Sequence, residues 1–421
     1  RNHSSAASDV YKRQLFVFEP TPHYYSIKSV AMSATPENSF QKDCIAYFKN
    51  ELKYDAYIYC RSDNNELGRA DKKEVLSKTR LRKALRKLNT NISAQCTPKA
   101  FESAINESIR ALETAAIGSS PLQNNKTVYN LLLKGYDTSI RNKKSQQQGF
   151  TFRYIDFHTA SNNEYVVAEE VSIKGKYEKI CRTDLLIYVN GIPLVLLELK
   201  NPQQALRKAF DDNLTKYKRQ IPLLFSYNAF VLLANVHHAK VGSFTAGWEH
   251  FSAWKKAESE KEEHDFLNNE RLAAFTAIKG TCDKERLLEL IQHFTLYDLK
   301  NKIVAKYHQY LGVQNSFRSF EAKRLLKDVE ERKRLGIFWH TQGSGKSFSM
   351  IFLSNKIMAK YATSHTIFVV TDRKTLDSQI HQNFTLARQA QADTAQTKSF
   401  YCRAGSSCLL YTSPSPRDIG E

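Results

Sequence analysis

The chain has 421 residues, enough for two or more domains, and 42% of them are apolar, which is ample for packed cores. No apolar run is long enough to span a membrane, and the N-terminus lacks the basic-then-apolar layout of a signal peptide, so neither a membrane nor a secreted protein is expected. Lys and Arg outnumber Asp and Glu by 62 to 43, a formal charge of +19 that favours a polyanionic partner, and the seven cysteines lack Cys-x-x-Cys spacing, which argues against a zinc cluster and fits a reducing cytoplasm.

Residues 1–31 precede Met32 and carry no periodic pattern. This leader and the tail 404–421 are expected to be non-native, because 4–14 and 408–418 resemble translated adapter sequence. Thr35-Pro36-Glu37 reads as a helix cap with proline in the first turn, and the helix should run to about Leu52. Residues 73–116 read as mostly helical with a break near 89–98, and the polar stretch 141–148 as a loop. Strands follow at 151–157, 164–173, 185–189 and 193–199, then a helix over 205–217 and a strand at 229–234. A charged block at 255–264 reads as a hinge, and helical sequence resumes to about Tyr310. A short strand at 336–339 should lead into a glycine-rich loop and a helix, with 366–370 as the next parallel strand. Mixed strands and helices place the chain in the α/β class.

The first chemical constellation lies in Asp184 to Lys200. Two apolar strands flank Asn190-Gly191, the strongest short hairpin signal. Glu198 and Lys200 are two apart and share a strand face. A plain two-residue turn would pair Asp184 with Leu197 and turn it away from Glu198. One extra residue, accommodated in a type I turn with Gly191 in the left-handed conformation, would pair Asp184 with Glu198 and gather all three charges on one face. Two carboxylates suit a hard divalent cation such as Mg²⁺, which activates water at a phosphodiester, and a neighbouring lysine suits the developing charge. A salt bridge at a strand end is the competing reading of so short a pattern.

The second constellation is Gly336-Ile337-Phe338-Trp339-His340-Thr341-Gln342-Gly343-Ser344-Gly345-Lys346-Ser347. A strand, a loop with the Gly-x-Gly-Lys-Ser core and a helix form an ATP-phosphate cradle, in which Lys346 reaches the phosphates and Ser347 the nucleotide's Mg²⁺. His340 stands where the strict pattern has glycine, a departure common in helicase-type motors. Gln309, upstream, either reads the adenine edge or is an ordinary polar residue.

Taken together, these residues resemble the restriction (motor) subunit of type I restriction–modification enzymes over most of 32–385. The resemblance rests on Thr35 to Phe40, on Asn125-Lys126-Thr127-Val128-Tyr129-Asn130-Leu131-Leu132 with Gly135, on Asp184 to Pro202, on Trp339 to Ser347 and on Val370-Thr371-Asp372-Arg373. It implies a PD-(D/E)xK nuclease domain over 32–250, a helical linker over 251–300 and the front of a superfamily 2 helicase-like ATPase over 301–403. Asp184 and Glu198 would be metal ligands and Lys200 catalytic, with Asn213, Tyr217 and Glu37 in support. Duplex DNA, methylation and specificity subunits and a prokaryotic cytoplasm are implied with it. Asn213 stands where the family often has glutamine, and Thr183 where it usually has proline. The family's later helicase motifs have no counterpart here, so nucleotide binding without productive hydrolysis is expected. A stand-alone helicase–nuclease, or a DNA-binding module with an inactive nuclease core, are the alternatives.

Overall fold

The computed structural model describes residues 37–60, 65–118, 120–175, 178–201, 203–262, 272–361, 366–370, 380, 384 and 408–412. Among these, strands β1 (Ala56–Tyr59), β2 (Tyr165–Glu169), β3 (Leu185–Val189), β4 (Ile192–Leu199), β5 (Phe230–Ala234), β6 (Ala239–Gly242) and β7 (Ser252–Ala253) form one mixed sheet in chain order. β1 and β2 are parallel, as are β4 and β5; the other neighbours are antiparallel. Every residue of β3, β4 and β5 is buried. That explains why, Glu198 apart, they are apolar at every position: both faces of the sheet centre are covered, so no polar-out alternation is required.

Helices α1 (Glu37–Asn50), α2 (Lys78–Leu88), α3 (Pro98–Ala115) and α4 (Pro121–Lys134) precede or interleave with the first strands. Their starts follow the local chemistry. Thr97 accepts a hydrogen bond from the Ala100 amide and Ser120 one from the Gln123 amide, each with proline next in the helix. Helices α5 (Leu272–Cys282), α6 (Lys284–His293), α7 (Tyr307–Arg324) and α8 (Lys346–Tyr361) follow the sheet. Their apolar faces join the same continuous core, which extends from Phe40 through the sheet to Phe352.

Several expectations need correction. The polar stretch at 141–148 is not one loop: Tyr136–Arg141 pairs antiparallel with Gln147–Phe152, and only 142–146 turns. A small antiparallel hairpin, Thr295–Tyr297 with Lys302–Val304, interrupts the helical sequence before Tyr310. Residues 336–339 are not a strand; Ile337 and Trp339 are 94% and 77% exposed. Strands need a neighbour's backbone groups, and among the described residues no strand pairs with this segment. Thr366–Val370 is a strand, but its partner is Cys408–Thr412 in antiparallel pairing, not a parallel neighbour. The leader 1–31 and part of the 255–264 block lie outside the described residues.

Candidate active site

The hairpin carrying Asp184, Glu198 and Lys200 has the expected offset at a different place. Val189 pairs with Ile192, so Asn190-Gly191 is a two-residue turn. Both turn residues have positive φ, 53° and 81°, the signature of a type I′ turn. The extra residue is Leu194: Tyr188 pairs with Pro193 but Ile187 pairs with Val195. Beyond this bulge the register continues to Leu185 opposite Leu197, which brings Asp184 opposite Glu198. The turn residues are held tightly. The Asn190 side chain donates to the Tyr154 carbonyl at 2.9 Å and to Asn163 at 2.8 Å, and accepts from the Glu164 amide at 2.8 Å.

The two carboxylates interlock through the backbone. The Leu199 amide donates to Asp184 Oδ2 at 2.7 Å, and the Asp184 amide approaches Glu198 Oε1 at 3.4 Å. From the helical turns after the sheet strand, Asn213 donates to Glu198 Oε2 at 2.5 Å. Asn213 lies in a π-helical segment, Ala209–Leu214, whose wider turn precedes the α-helical Thr215–Gln220. Tyr217 donates to the Arg182 carbonyl at 2.6 Å, and its hydroxyl lies 3.5 Å from the same Glu198 oxygen. Lys200, 9% exposed, directly follows the last residue of β4; its amide donates to the Ala234 carbonyl on β5 at 2.9 Å. Glu37 is the first residue of α1, and its side chain lies outside the described residues.

Glu198 is fully buried. Burial and then the Asp184 carboxylate push its carboxyl well above the usual carboxylate range, against the Asn213 amide, Lys200 and the Asp184 N–H, which favour the charged form. Burial and the two carboxylates likewise keep the Tyr217 hydroxyl protonated. Two carboxylates brought together at the cost of mutual repulsion suit a cation. Among the described residues no set of three or more acidic, His or Cys side chains could hold a metal. A carboxylate pair of this kind could hold a hard divalent cation whose remaining coordination is water and substrate oxygens.

The glycine-rich loop is built on α7 and α8. Gly343 and Gly345 have φ of 77° and 80°, and a Cβ on Gly345 would meet Gln309 Nε2 at 2.5 Å, so glycine there serves both the backbone and a close neighbour. Gln309 is buried on α7; its amide donates to the carbonyls of Ser344 at 3.1 Å and Gly345 at 3.2 Å, while its oxygen accepts from the Lys306 amide at 2.9 Å. His308 lies 3.0 Å from the same Ser344 carbonyl, and burial holds its imidazole below the ordinary range. Its part in bracing the loop carries no signal in the sequence, because it depends on α7 packing against α8. Lys346 opens α8, and its Nζ contacts the carbonyls of His340 at 2.8 Å and Thr341 at 3.1 Å. Thr341, Gln342 and Gly343 are exposed, and Ser344, Gly345 and Ser347 are half-buried.

Residues 35–250 match the family described as type I restriction enzyme R protein N terminus, and residues 308–403 match SWI2/SNF2 ATPase. The chain is 32% identical over 340 residues to the type I restriction enzyme HindI endonuclease subunit of Haemophilus influenzae, covering 79% of this chain and 31% of that protein. It is 27% identical over 330 residues to the putative type I restriction enzyme MjaIXP endonuclease subunit of Methanocaldococcus jannaschii, covering 74% and 30%. It thus spans less than a third of the length of these two relatives.

Proposed function

The chain belongs to the family of type I restriction enzyme R proteins, whose N-terminal region it matches, and from that premise we propose that Asp184, Glu198 and Lys200 form a PD-(D/E)xK nuclease site that hydrolyses DNA phosphodiester bonds. The observation that carries this reading is the Leu194 bulge, which sets Asp184 opposite Glu198 at the open end of a wholly buried hairpin. Mg²⁺, held by Asp184 and Glu198, would supply Lewis acidity to the scissile phosphate and to an attacking water. Leu199 N–H fixes Asp184, and Asn213 with Tyr217 fixes Glu198, so both carboxylates are oriented before substrate arrives. Lys200 follows Glu198 on the same strand face, where its ammonium can orient the water and stabilise charge on the phosphoryl oxygens.

Residues 301–403 then form the front of a superfamily 2 motor domain, with Thr341 to Ser347 as the ATP-phosphate loop. The SWI2/SNF2 ATPase match supports this. His308 and Gln309 hold the Ser344 and Gly345 carbonyls, which braces the loop from its carbonyl side while phosphate oxygens would take its N–H groups. Lys346 would exchange its carbonyl contacts for the β- and γ-phosphates and Ser347 would face the nucleotide's Mg²⁺. In the whole subunit the motor would draw duplex DNA past the nuclease, in complex with methylation and specificity subunits in a prokaryotic cytoplasm. Among the described residues no helix is long and apolar enough to cross a membrane.

Supercoiled plasmid incubated with this chain and Mg²⁺ tests the nuclease reading. Wild type should nick it, and Asp184→Ala and Lys200→Ala should each lower the rate at least ~100-fold. Equal nicking by Asp184→Ala would sink the assignment.

A further inference from the structure

The hairpin that brings Asp184 to Glu198 has a physical weakness. Register is normally pinned because a one-residue slip carries apolar side chains to the solvent face. Here both strands are buried throughout and, Glu198 apart, apolar on both faces, so a slip of the residues before Glu198 carries no apolar side chain into solvent. The extra residue could sit in the turn, at Leu194, or nearer the open end. A bulge that migrated past Asp184 would pair it with Leu197 and separate the carboxylates. Something other than hydrophobic pattern must hold the bulge at Leu194.

The Leu194 carbonyl is where the structure provides it. It accepts from the Ala229 amide at 2.6 Å and from Asn228 Nδ2 at 3.2 Å. The same Asn228 amide donates to the Phe230 carbonyl at 2.8 Å, so one side chain bridges β4 and β5 beside the bulge. Asn228 is itself gripped from outside the sheet. Its carbonyl accepts from Asn125 Nδ2 at 2.9 Å and from Lys302 Nζ at 2.7 Å. Asn125, on α4, also donates to the Phe225 carbonyl at 2.7 Å and accepts from the Tyr297 hydroxyl at 2.6 Å. Asn125, Asn228 and Lys302 are all buried. Unpairing a buried carbonyl is costly, so the two hydrogen bonds of the Asn228 amide group resist movement of the carbonyls they hold, although its own side-chain oxygen has no partner among the described residues.

We propose that Asn228 is a positioning residue for the nuclease site: it clamps the Leu194 bulge that sets Asp184 opposite Glu198, and Asn125 and Lys302 hold it in place. The inference rests on the nuclease reading for its consequence, though not for its geometry. It also gives a role to Asn125, which the cleavage chemistry does not use.

The test compares wild type with Asn228→Asp, an isosteric change that turns the donor into an acceptor facing two carbonyls. Thr281→Val serves as a control; it removes a buried hydroxyl that donates to the Ala277 carbonyl on α5. Two readouts are taken on the full chain: amide hydrogen exchange and Mn²⁺ affinity. Asn228→Asp should accelerate exchange selectively in residues 192–199 and weaken Mn²⁺ binding about tenfold or more, whereas Thr281→Val should do neither. Deleting Leu194 in the Asn228→Asp chain removes the extra residue and leaves Asp184 opposite Glu198 in an unbroken ladder. Mn²⁺ affinity should then recover, which a merely stabilising role for Asn228 does not provide. Unchanged exchange in 192–199, acceleration spread evenly over the sheet, faster exchange with unaltered Mn²⁺ affinity, or no recovery in a deletion chain with native circular dichroism would each overturn the clamp. If wild type binds Mn²⁺ no better than Asp184→Ala, the nuclease reading fails instead, and the exchange data alone decide whether Asn228 holds the bulge.

Discussion

At the scale of single residues, the buried charges divide into two kinds. Glu198 is buried beside Asp184, with Lys200, Asn213 and Tyr217 arranged around it, as a site for a cation would be. Lys302 is buried and has no ion-pair partner among the described residues; its Nζ donates to the Asn228 carbonyl and lies 5.6 Å from the Tyr297 ring centre and 5.8 Å from that of Tyr129. Burial pushes its ammonium down from 10.5 to about 7. The folded chain therefore releases a proton that the unfolded chain keeps between these two values, and stability rises with pH across that window. The expected slope approaches ~1.4 kcal/mol per pH unit in its middle. Lys302→Met should abolish this contribution, and denaturant unfolding of both chains at pH 7 and pH 9 measures it. An identical pH response in the two would show that Lys302 stays charged when folded.

At the scale of elements, the Asn190-Gly191 hairpin shows how local chemistry and packing share the work. Two positive φ values select asparagine and glycine. Packing then tightens the choice: a Cβ on Gly191 would lie 2.4 Å from the Ser77 carbonyl oxygen and 2.7 Å from the Leu81 amide, both backbone atoms. The Ser77 amide also donates to the Gly191 carbonyl at 2.8 Å, tying the turn to the start of α2. Gly191→Ala should cost about 1–3 kcal/mol from the backbone conformation alone, with the clash added. Thermal unfolding would record the loss; an unchanged melting temperature would mean that α2 can move away. The stretch 336–339 is the contrasting case. Its composition suits a strand, yet a strand exists only with a partner, and pairing cannot be read from one segment.

At the scale of the molecule, the loop-bearing helix α8 is tied to the helices before it by a polar node in the core. Lys356 Nζ lies 2.7 Å from Glu289 on α6 and 2.6 Å from the Gln314 side-chain oxygen on α7, and Tyr310 donates to Glu289 at 2.6 Å. The glycine-rich loop therefore cannot shift with α8 without disturbing α6. Burial and then the Lys356 charge push the neighbouring His293 imidazole down to about 4, so it is neutral at pH 7. Lys356→Met should leave Glu289 without its cation and cost about 2–3 kcal/mol, less than for a fully buried pair because Glu289 retains some solvent contact. Hydrogen exchange should quicken in Lys346–Tyr361 while the sheet centre stays protected. Equal acceleration in both would mean that the node stabilises the whole core and does not specifically tie down α8.

The sequence by itself determined the α/β class, the strands at the sheet centre, the hairpin at Asn190-Gly191 and the residue types of both constellations, because these depend on apolar runs, positive-φ turns and spacing along one chain. It also required a one-residue offset to bring Asp184 to Glu198. Only the tertiary structure decided where that offset lies. The apolar pattern of two strands buried on both faces does not fix where the extra residue sits, and the bulge settles at Leu194, next to Pro193, where Asn228 and Ala229, just before β5, satisfy its carbonyl. The same holds for Gln309, whose amide meets Ser344 and Gly345 only because α7 packs beside the loop, and for Lys302, whose burial follows from neighbours distant in the chain.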